Sequence, residues 1–168
     1  GSTFKTISMM AALDDGKVEM DDTIRVYRNG WSYHGSKHTD AHPADTIYNI
    51  RQAMAVSSNI ALAKIVTEGY GGSAKKFVKK LKNMGLCDSV DYTIPGAKQA
   101  LINVPNDTVT ISKMAYGYSV ELSPLQMLTF YNGIANDGKM ITPLIVKEIR
   151  KNGKVIEELE SSVIRSSM

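Results

Sequence analysis

Apolar residues at helical spacing recur along most of this chain, and they constrain its fold more than any other feature. Apolar side chains three or four positions apart form a stripe in five segments: residues 3–14, 47–57, 60–69, 73–84 and 123–135. Strand signals are confined to short segments on either side of Asn-Gly pairs. The sequence therefore predicts a mostly helical domain with a few short strands.

The ends of the helices are marked by capping residues and glycines. Ser2 is predicted as the N-cap of the first helix and Gly16 as its C-terminal stop. Ser123-Pro124-Leu125-Gln126 combines an N-cap serine, a proline at the first helical position and a glutamine at the third, which together predict a capping box. A glycine cluster at 69–72 ends the helix that starts at Ile60.

Two Asn-Gly pairs predict β-hairpins, because both central residues of the favoured two-residue turn need positive φ. Asn29-Gly30 lies between residues 23–28 and 31–34, and Asn152-Gly153 lies between residues 144–149 and 154–159. Residues 35–45 are polar and contain a proline, which predicts a loop. Residues 87–109 predict a long connection with one short strand.

Composition excludes several classes of protein. With 168 residues, 43% of them hydrophobic, the chain can bury the core of one globular domain. A net charge of +3 is too small to favour nucleic acid as a partner, and no sequence pattern calls for a cofactor. No apolar run approaches the length of a membrane span. The abrupt start at Gly1, directly before a helical stripe, predicts a piece cut from a longer protein, although Gly1 could also be a cloning remnant.

Ser2 and Lys5 are the first candidate pair for chemistry. Residues three apart on the first turn of a helix are neighbours on one face. A serine hydroxyl becomes a strong nucleophile when a base removes its proton, and a partly desolvated lysine has a lowered pKa that suits this role. The same helix end could offer backbone N–H groups to an oxyanion. The alternative is that Ser2 only caps the helix and Lys5 only faces solvent.

Ser57-Ser58-Asn59 forms a second candidate cluster, at a break between two helices. Side chains at such a break can project into a cleft. Ser57 could relay a proton to a leaving group, and Asn59 could hold a substrate amide through its paired donor and acceptor. The alternative is that Ser58 or Asn59 caps the following helix.

Other reactive side chains have simpler explanations. His34, His38 and His42 recur every four positions, but Gly35 and Pro43 argue against a helix that would align them, so we expect loop histidines and no metal site. Lysines in residues 75–82 fit a solvated helix face, with contact to anionic lipid or wall polymer as the alternative. The single cysteine, Cys87, has no evident base beside it and is expected to be inert.

Taken together, these motifs resemble the penicillin-binding proteins, particularly the class B transpeptidases of elongation and division. Gly1-Ser2-Thr3-Phe4-Lys5 is similar to the family's S-x-x-K motif, and Ser57-Ser58-Asn59 is similar to its S-x-N motif. Further segments follow the family's order and spacing: Asp40-Ala41-His42-Pro43, Ala115-Tyr116-Gly117-Tyr118, Leu122-Ser123-Pro124-Leu125-Gln126-Met127, Ile134-Ala135-Asn136-Asp137-Gly138-Lys139 and Pro143-Leu144-Ile145. The resemblance covers nearly the whole chain.

The resemblance implies an α+β fold of the serine β-lactamase and D,D-peptidase type. Residues 1–168 would be a partial transpeptidase domain, running from the S-x-x-K motif to before the K-T-G motif. This part would be mostly the helical lobe, with short β-hairpins and without most of the central sheet. Lys151-Asn152-Gly153 has the letters K-x-G but lies in a predicted hairpin turn and lacks the hydroxyl residue. We therefore do not assign it as the third motif.

The resemblance also implies roles and partners. Ser2 would form the acyl-enzyme with a peptidoglycan stem peptide or a β-lactam, Lys5 would activate Ser2, Ser57 would transfer protons and Asn59 would bind substrate. The parent protein would be anchored in the inner membrane, with this domain in the periplasm or on the outer surface, and could pair with a glycosyltransferase. The chain alone is expected to be inactive. The alternatives are a serine β-lactamase or β-lactam sensor domain, and a non-catalytic helical interaction module.

Overall fold

The computed structural model describes residues 1–92, 94, 96–104 and 107–168. The chain divides into two compact units. Unit 1 contains Gly1–Leu81 and Ile102–Val120, and unit 2 contains Lys82–Leu101 and Glu121–Met168. All four predicted site residues belong to unit 1. Pro95 and Pro105, which helped to predict the long connection before residue 110, lie outside the described residues.

The described residues form six helices: α1 (Phe4–Asp14), α2 (Ile50–Ala55), α3 (Asn59–Gly69), α4 (Ala74–Asn83), α5 (Thr110–Met114) and α6 (Pro124–Ala135). The five predicted helical segments are confirmed, with α2 shorter than expected. The short helix α5 was not predicted, because five residues carry too little periodicity to be distinguished from a loop.

The strands are short: β1 (Thr23–Val26), β2 (Trp31–Tyr33), β3 (Ser36–His38), β4 (Thr46–Asn49), β5 (Leu101–Ile102), β6 (Val120–Glu121), β7 (Met140–Ile141), β8 (Glu148–Lys151), β9 (Lys154–Glu158) and β10 (Val163–Arg165). They pair as β1 with β4, β2 with β3, β5 with β6, β7 with β10 and β8 with β9. Every sheet within the described residues has two strands, so the α+β class with short hairpins is confirmed.

The hairpin predicted at Asn29-Gly30 is wrong. β1 pairs with β4, and β2 pairs with β3 across a turn at His34-Gly35, whose φ angles are 46° and 80°. The reason is packing: Val26 of β1 is fully buried with residues of α2 and α3, and this burial outweighs the local turn preference. The loop predicted over residues 35–45 consequently contains strand β3, and the start of the predicted second helix is strand β4.

The hairpin predicted at Asn152-Gly153 is confirmed. β8 and β9 are antiparallel, and the two turn residues have φ angles of 50° and 77°. Lys151-Asn152-Gly153 therefore occupies the end of a strand and a tight turn, as the sequence predicts.

The core of unit 1 is built around α1 and α3, which pack against each other. Phe4, Ile7 and Leu62 are among its fully buried side chains. Tyr70, directly after α3, donates a hydrogen bond to the carbonyl of Ala11 over 3.1 Å. This places the C-terminal ends of the two helices together, and a hydrogen bond between Lys5 and Ser57 brings together their N-terminal ends, which carry the predicted site.

Unit 2 is organised by α6. The predicted capping box is confirmed: Ser123 Oγ accepts a hydrogen bond from Gln126 N over 3.1 Å, and Gln126 Oε1 accepts one from Ser123 N over 3.1 Å. Arg165 donates two hydrogen bonds to the carboxylate of Asp88. Within the described ranges, no helix combines the length and apolar character needed to cross a membrane.

Candidate active site

Ser2 does not cap α1, and the prediction that it is the N-cap is wrong. The N-cap is Thr3, whose backbone is already helical (φ −62°, ψ −28°) and whose side chain makes no capping bond. A capping side chain needs an extended backbone, which residues at this helical start do not have. Ser2 is exposed, and its hydroxyl has no hydrogen-bond partner in the part of the chain that the structure describes. The hydroxyl is thus free for another role.

The N-terminal turn of α1 is closed by its own backbone. Phe4 N donates to the carbonyl of Gly1 over 2.9 Å, and Lys5 N donates to the carbonyl of Ser2 over 3.2 Å. These two N–H groups are therefore already used, and the expectation that this helix end offers a donor to an oxyanion stays a prediction for Ser2 N–H.

Lys5 points into the protein rather than into solvent. Only 2% of it is exposed, and Nζ donates to the Ser57 carbonyl over 2.5 Å and to Ser57 Oγ over 2.8 Å. Burial lowers the pKa of the Lys5 ammonium, and the negative charge of Asp40 partly opposes that effect. The structure therefore brings together Lys5 and Ser57, which are 52 positions apart in the sequence.

Ser57 has an unusual backbone conformation. Its φ is +54°, in the left-handed region that favours glycine. Ser57 N donates to Met54 O and Ser58 N donates to Ala53 O, each over 3.0 Å, which is the Schellman pattern that ends a helix, here α2. This turn presents both the hydroxyl and the carbonyl of Ser57 to Lys5.

Ser58 and Asn59 have different roles. Ser58 is the N-cap of α3, because its Oγ accepts a hydrogen bond from Ala61 N over 3.0 Å. Asn59 is the first residue of α3, and its Nδ2 donates to the carbonyl of Thr39 over 2.8 Å. The capping alternative thus applies to Ser58 and leaves Ser57 and Asn59 without a capping function.

Asp40 is a polar group that sequence reasoning missed as part of this site. Its carboxylate accepts hydrogen bonds from Ser58 Oγ over 2.7 Å and from Ile60 N over 3.0 Å. Asp40 entered the sequence analysis only as part of a matching segment. No local pattern could place it here, since it lies 18 positions before Ser58.

The segment after α5 closes the other side of the N-terminal turn. Gly117 has a φ of +95°, and a Cβ at this position would lie 2.7 Å from the carbonyl oxygen of Gly1. The preceding Tyr116 forms a 2.7 Å hydrogen bond through its hydroxyl with Nδ1 of His38. Residues 39 and 40 therefore contact the Ser57-Ser58-Asn59 cluster, Gly117 contacts the N-terminal turn, and the hydrogen bond between His38 and Tyr116 joins these two segments.

The three histidines do not share a helix. His34 lies in the β2–β3 turn, His38 is buried beside Tyr116, and His42 is exposed in a loop. Among the described residues, no group of three His, Cys, Asp or Glu side chains is arranged to hold a metal ion. Burial raises the pKa of the Cys87 thiol, which disfavours the reactive thiolate.

A family model for the penicillin-binding protein transpeptidase domain matches residues 1–167. The chain belongs to this family. The resemblance inferred from the S-x-x-K and S-x-N motifs is thereby confirmed.

Curated relatives agree with this assignment. The chain is 25% identical to penicillin-binding protein 3 of Bacillus subtilis (strain 168), over 88% of this chain and 23% of the relative. It is 23% identical to the probable peptidoglycan D,D-transpeptidase PbpC of Pseudomonas aeruginosa, over 98% of this chain and 29% of the relative. The chain therefore spans between a fifth and a third of the length of these two proteins.

The fold agrees with a solved transpeptidase. The apo TP domain of penicillin-binding protein 3 from Burkholderia pseudomallei superimposes with a TM-score of 0.73 and 24% identity, over 84% of this chain and 42% of that chain. The penicillin-binding transpeptidase fold predicted from the motifs is confirmed at the level of the backbone.

Proposed function

We propose that this chain supplies the nucleophile and the base of a serine-type D,D-transpeptidase, which cross-links peptidoglycan stem peptides in its full-length form. The observation that carries the proposal is the contact of Lys5 Nζ with Ser57. Lys5 follows Ser2 by one helical turn, and the exposed Ser2 hydroxyl has no hydrogen-bond partner among the described residues. Lys5 supplies a buried amine of lowered pKa one helical turn from the Ser2 hydroxyl, and nucleophilic acyl transfer requires these two groups to meet when substrate binds.

The first chemical step is acylation of Ser2. Neutral Lys5 takes the proton of the Ser2 hydroxyl as Oγ forms a bond to the carbonyl carbon of the substrate amide. The C–N bond of that amide then breaks, and the departing nitrogen receives a proton. Ser57 contacts Lys5 through its hydroxyl over 2.8 Å, so it can pass this proton from the lysine to the leaving nitrogen.

The second step releases the acyl group. The amine of a second stem peptide gives a proton to Lys5 and attacks the acyl-enzyme carbonyl carbon. A new amide C–N bond forms, the ester bond between that carbon and Ser2 Oγ breaks, and the proton passes from Lys5 to Oγ, which restores the Ser2 hydroxyl. Asn59, with one of its donors already bound to Thr39, positions the stem peptide through its remaining amide groups. A β-lactam follows the first step only, because ring opening leaves its nitrogen attached to the acyl group.

The proposal extends to the setting of the full-length protein. Peptidoglycan lies outside the cytoplasmic membrane, so we expect the full-length protein to be anchored in that membrane with this domain in the periplasm or on the outer surface. A glycosyltransferase that makes the glycan strands is the expected partner. Nucleic acid is not expected as a partner, given the net charge of +3.

The 168-residue chain by itself is expected to react weakly or not at all with β-lactams. The sequence contains S-x-x-K and S-x-N but no K-T-G, and the family uses all three motifs. Stoichiometric acylation of the isolated chain, measured by intact mass after incubation with penicillin, would contradict this expectation.

Labelling of the full-length protein with a fluorescent penicillin tests the proposed function. We expect labelling of the wild type and none of Ser2→Ala. Ser32→Ala is the matched control, since Ser32 is also exposed and lies on strand β2 of the same unit, and it should label normally. Absence of label on the wild type, or equal label on Ser2→Ala, would reject the proposal. Rapid release of the label as hydrolysed penicillin would favour a β-lactamase instead.

A further inference from the structure

Asp40 occupies a position that links the two catalytic motifs. Its two carboxylate oxygens accept hydrogen bonds from the side chain of Ser58 and from the backbone N–H of Ile60, over 2.7 Å and 3.0 Å. Ser58 Oγ in turn accepts from Ala61 N, so the carboxylate and the hydroxyl together satisfy two of the N–H groups at the start of α3 that have no partner within the helix.

This contact fixes the turn in which Ser57 lies. Ser57 is bounded on one side by the Schellman hydrogen bonds that end α2 and on the other by Ser58, which Asp40 holds. Ser57 must keep its left-handed φ of +54° to present its carbonyl and hydroxyl to Lys5. A strained conformation persists only where its surroundings enforce it, and Asp40 is part of that enforcement.

Residues 39 and 40 hold the whole second motif. The carbonyl of Thr39 accepts the hydrogen bond from Asn59 Nδ2 over 2.8 Å, while Asp40 binds Ser58. His38, one residue earlier, is buried and bonded to Tyr116. The segment is therefore anchored on one side and makes direct contact with the motif on the other.

Asp40 also carries charge toward Lys5. Burial lowers the pKa of Lys5, and Asp40 is the acidic group whose charge raises it. The packed helices carry other charged groups: Asp14 and Glu68 are at the C-terminal parts of α1 and α3, Arg51 of α2 is exposed, and Lys64 donates to a backbone carbonyl on β1. Lys113 of α5 is exposed. Burial lowers the pKa of His38, and the positive charge of Lys113 lowers it further.

We propose that Asp40 is a positioning residue for acyl transfer: its carboxylate holds the Ser57 to Asn59 turn in place and puts a negative charge next to the turn that binds Lys5. This inference rests on the proposed function, because it assumes that Lys5 activates Ser2. Asp40 itself touches neither the nucleophile nor the substrate in this account.

The test is the pH dependence of penicillin acylation, measured on the full-length wild type and on Asp40→Asn. The rate should rise with pH as Lys5 loses its proton. The Asn side chain keeps the shape but removes the charge, so the Lys5 ammonium loses stabilisation and its pKa falls. We expect the midpoint of the profile to move to lower pH, with a lower plateau from the loosened turn.

Two controls separate charge from structure. Asp40→Glu keeps the charge, so its plateau should fall while its midpoint stays near that of the wild type. Asp45→Asn removes another carboxylate of the same segment, one that accepts a hydrogen bond from Arg28 N. The pH profile of this variant should match that of the wild type. An Asp40→Asn profile with an unmoved midpoint, whatever its plateau, would overturn the inference.

Two further outcomes are informative. If Asp40→Asn does not fold, Ser58→Ala replaces it: this change removes the hydroxyl that Asp40 holds and keeps the charge, and it should lower the rate with an unmoved midpoint. An unchanged rate would overturn the inference. If the wild type is not acylated at any pH, the proposed function fails, and this inference fails with it. If the wild type is acylated normally and Asp40→Asn has the same profile, only the inference is rejected.

Discussion

At the scale of the residue, Ser57 explains most about how this site is built. It occupies the left-handed position that ends α2, where helices most often place glycine. A side chain there costs roughly 1–2 kcal/mol relative to glycine. The Cβ atom that causes this cost also carries the hydroxyl that contacts Lys5, so stability is lower at the residue that the chemistry uses.

The two variants Ser57→Gly and Ser57→Ala should therefore differ in stability but not in activity. Both remove the hydroxyl, and only glycine removes the backbone strain. We expect Ser57→Gly to be about 1 kcal/mol more stable than Ser57→Ala in denaturant unfolding. Both should acylate with penicillin about 10²-fold more slowly than the wild type, because the proton path is interrupted.

Asn152 offers a matched control for this comparison. It is another non-glycine residue with positive φ, in the exposed β8–β9 turn. Asn152→Gly and Asn152→Ala should show the same order of stability with wild-type acylation rates. Equal stability of the two Ser57 variants would contradict the strain argument, and wild-type acylation by either would contradict the role of the hydroxyl.

Residue-scale prediction from sequence had clear limits. Ser2, Lys5, Ser57 and Asn59 could be selected because helix spacing, a helix break and the family resemblance pointed to them. The contact of Lys5 with Ser57 joins residues 52 positions apart, so only tertiary packing could produce it. Asp40 was missed for the same reason.

At the scale of the element, the helices were predicted well where one face is buried over several turns. Helix α4 illustrates this: Phe77, Val78 and Leu81 are buried, and the lysines around them are mostly exposed.

The strands were predicted poorly in unit 1. Ile47 and Ile50 have helical spacing, yet Ile47 lies on β4, because strand β1 supplies its partner Arg25 from 22 positions earlier in the sequence.

The turn after α5 should control the start of α1. Gly117→Ala would place a Cβ 2.7 Å from the Gly1 carbonyl oxygen and 3.0 Å from Phe4 Cβ, in addition to its unfavourable φ of +95°. The backbone around Ser2 would have to shift to relieve this overlap. We expect a loss of thermal stability and at least tenfold slower penicillin acylation of the full-length protein.

Gly153→Ala separates backbone strain from overlap. Gly153 also has positive φ, at +77°, but nothing lies within 4 Å of its added Cβ. This control should lose about 1 kcal/mol of stability and keep its acylation rate. If Gly117→Ala behaved in the same way as Gly153→Ala, the contact with Gly1 would not position Ser2.

At the scale of the whole molecule, the proposed site lies entirely within unit 1. Sequence composition predicts one globular domain, whereas the chain forms two compact units, and only long-range contacts could reveal that division. The family match covers residues 1–167, and the chain spans 23% and 29% of the two curated relatives described above. The proposed nucleophile, its base and their supporting residues therefore all lie within this chain, and turnover is proposed for the full-length protein.

The measurement that tests this assignment most directly is the location of the penicillin adduct in the full-length protein. After acylation, proteolysis and tandem mass spectrometry should place the added mass on Ser2, in the peptide that ends at Lys5 or beyond. Ser57 and Ser58 should remain unmodified, since one contacts Lys5 and the other caps α3. An adduct on Ser57, or on a serine outside residues 1–5, would contradict the central claim.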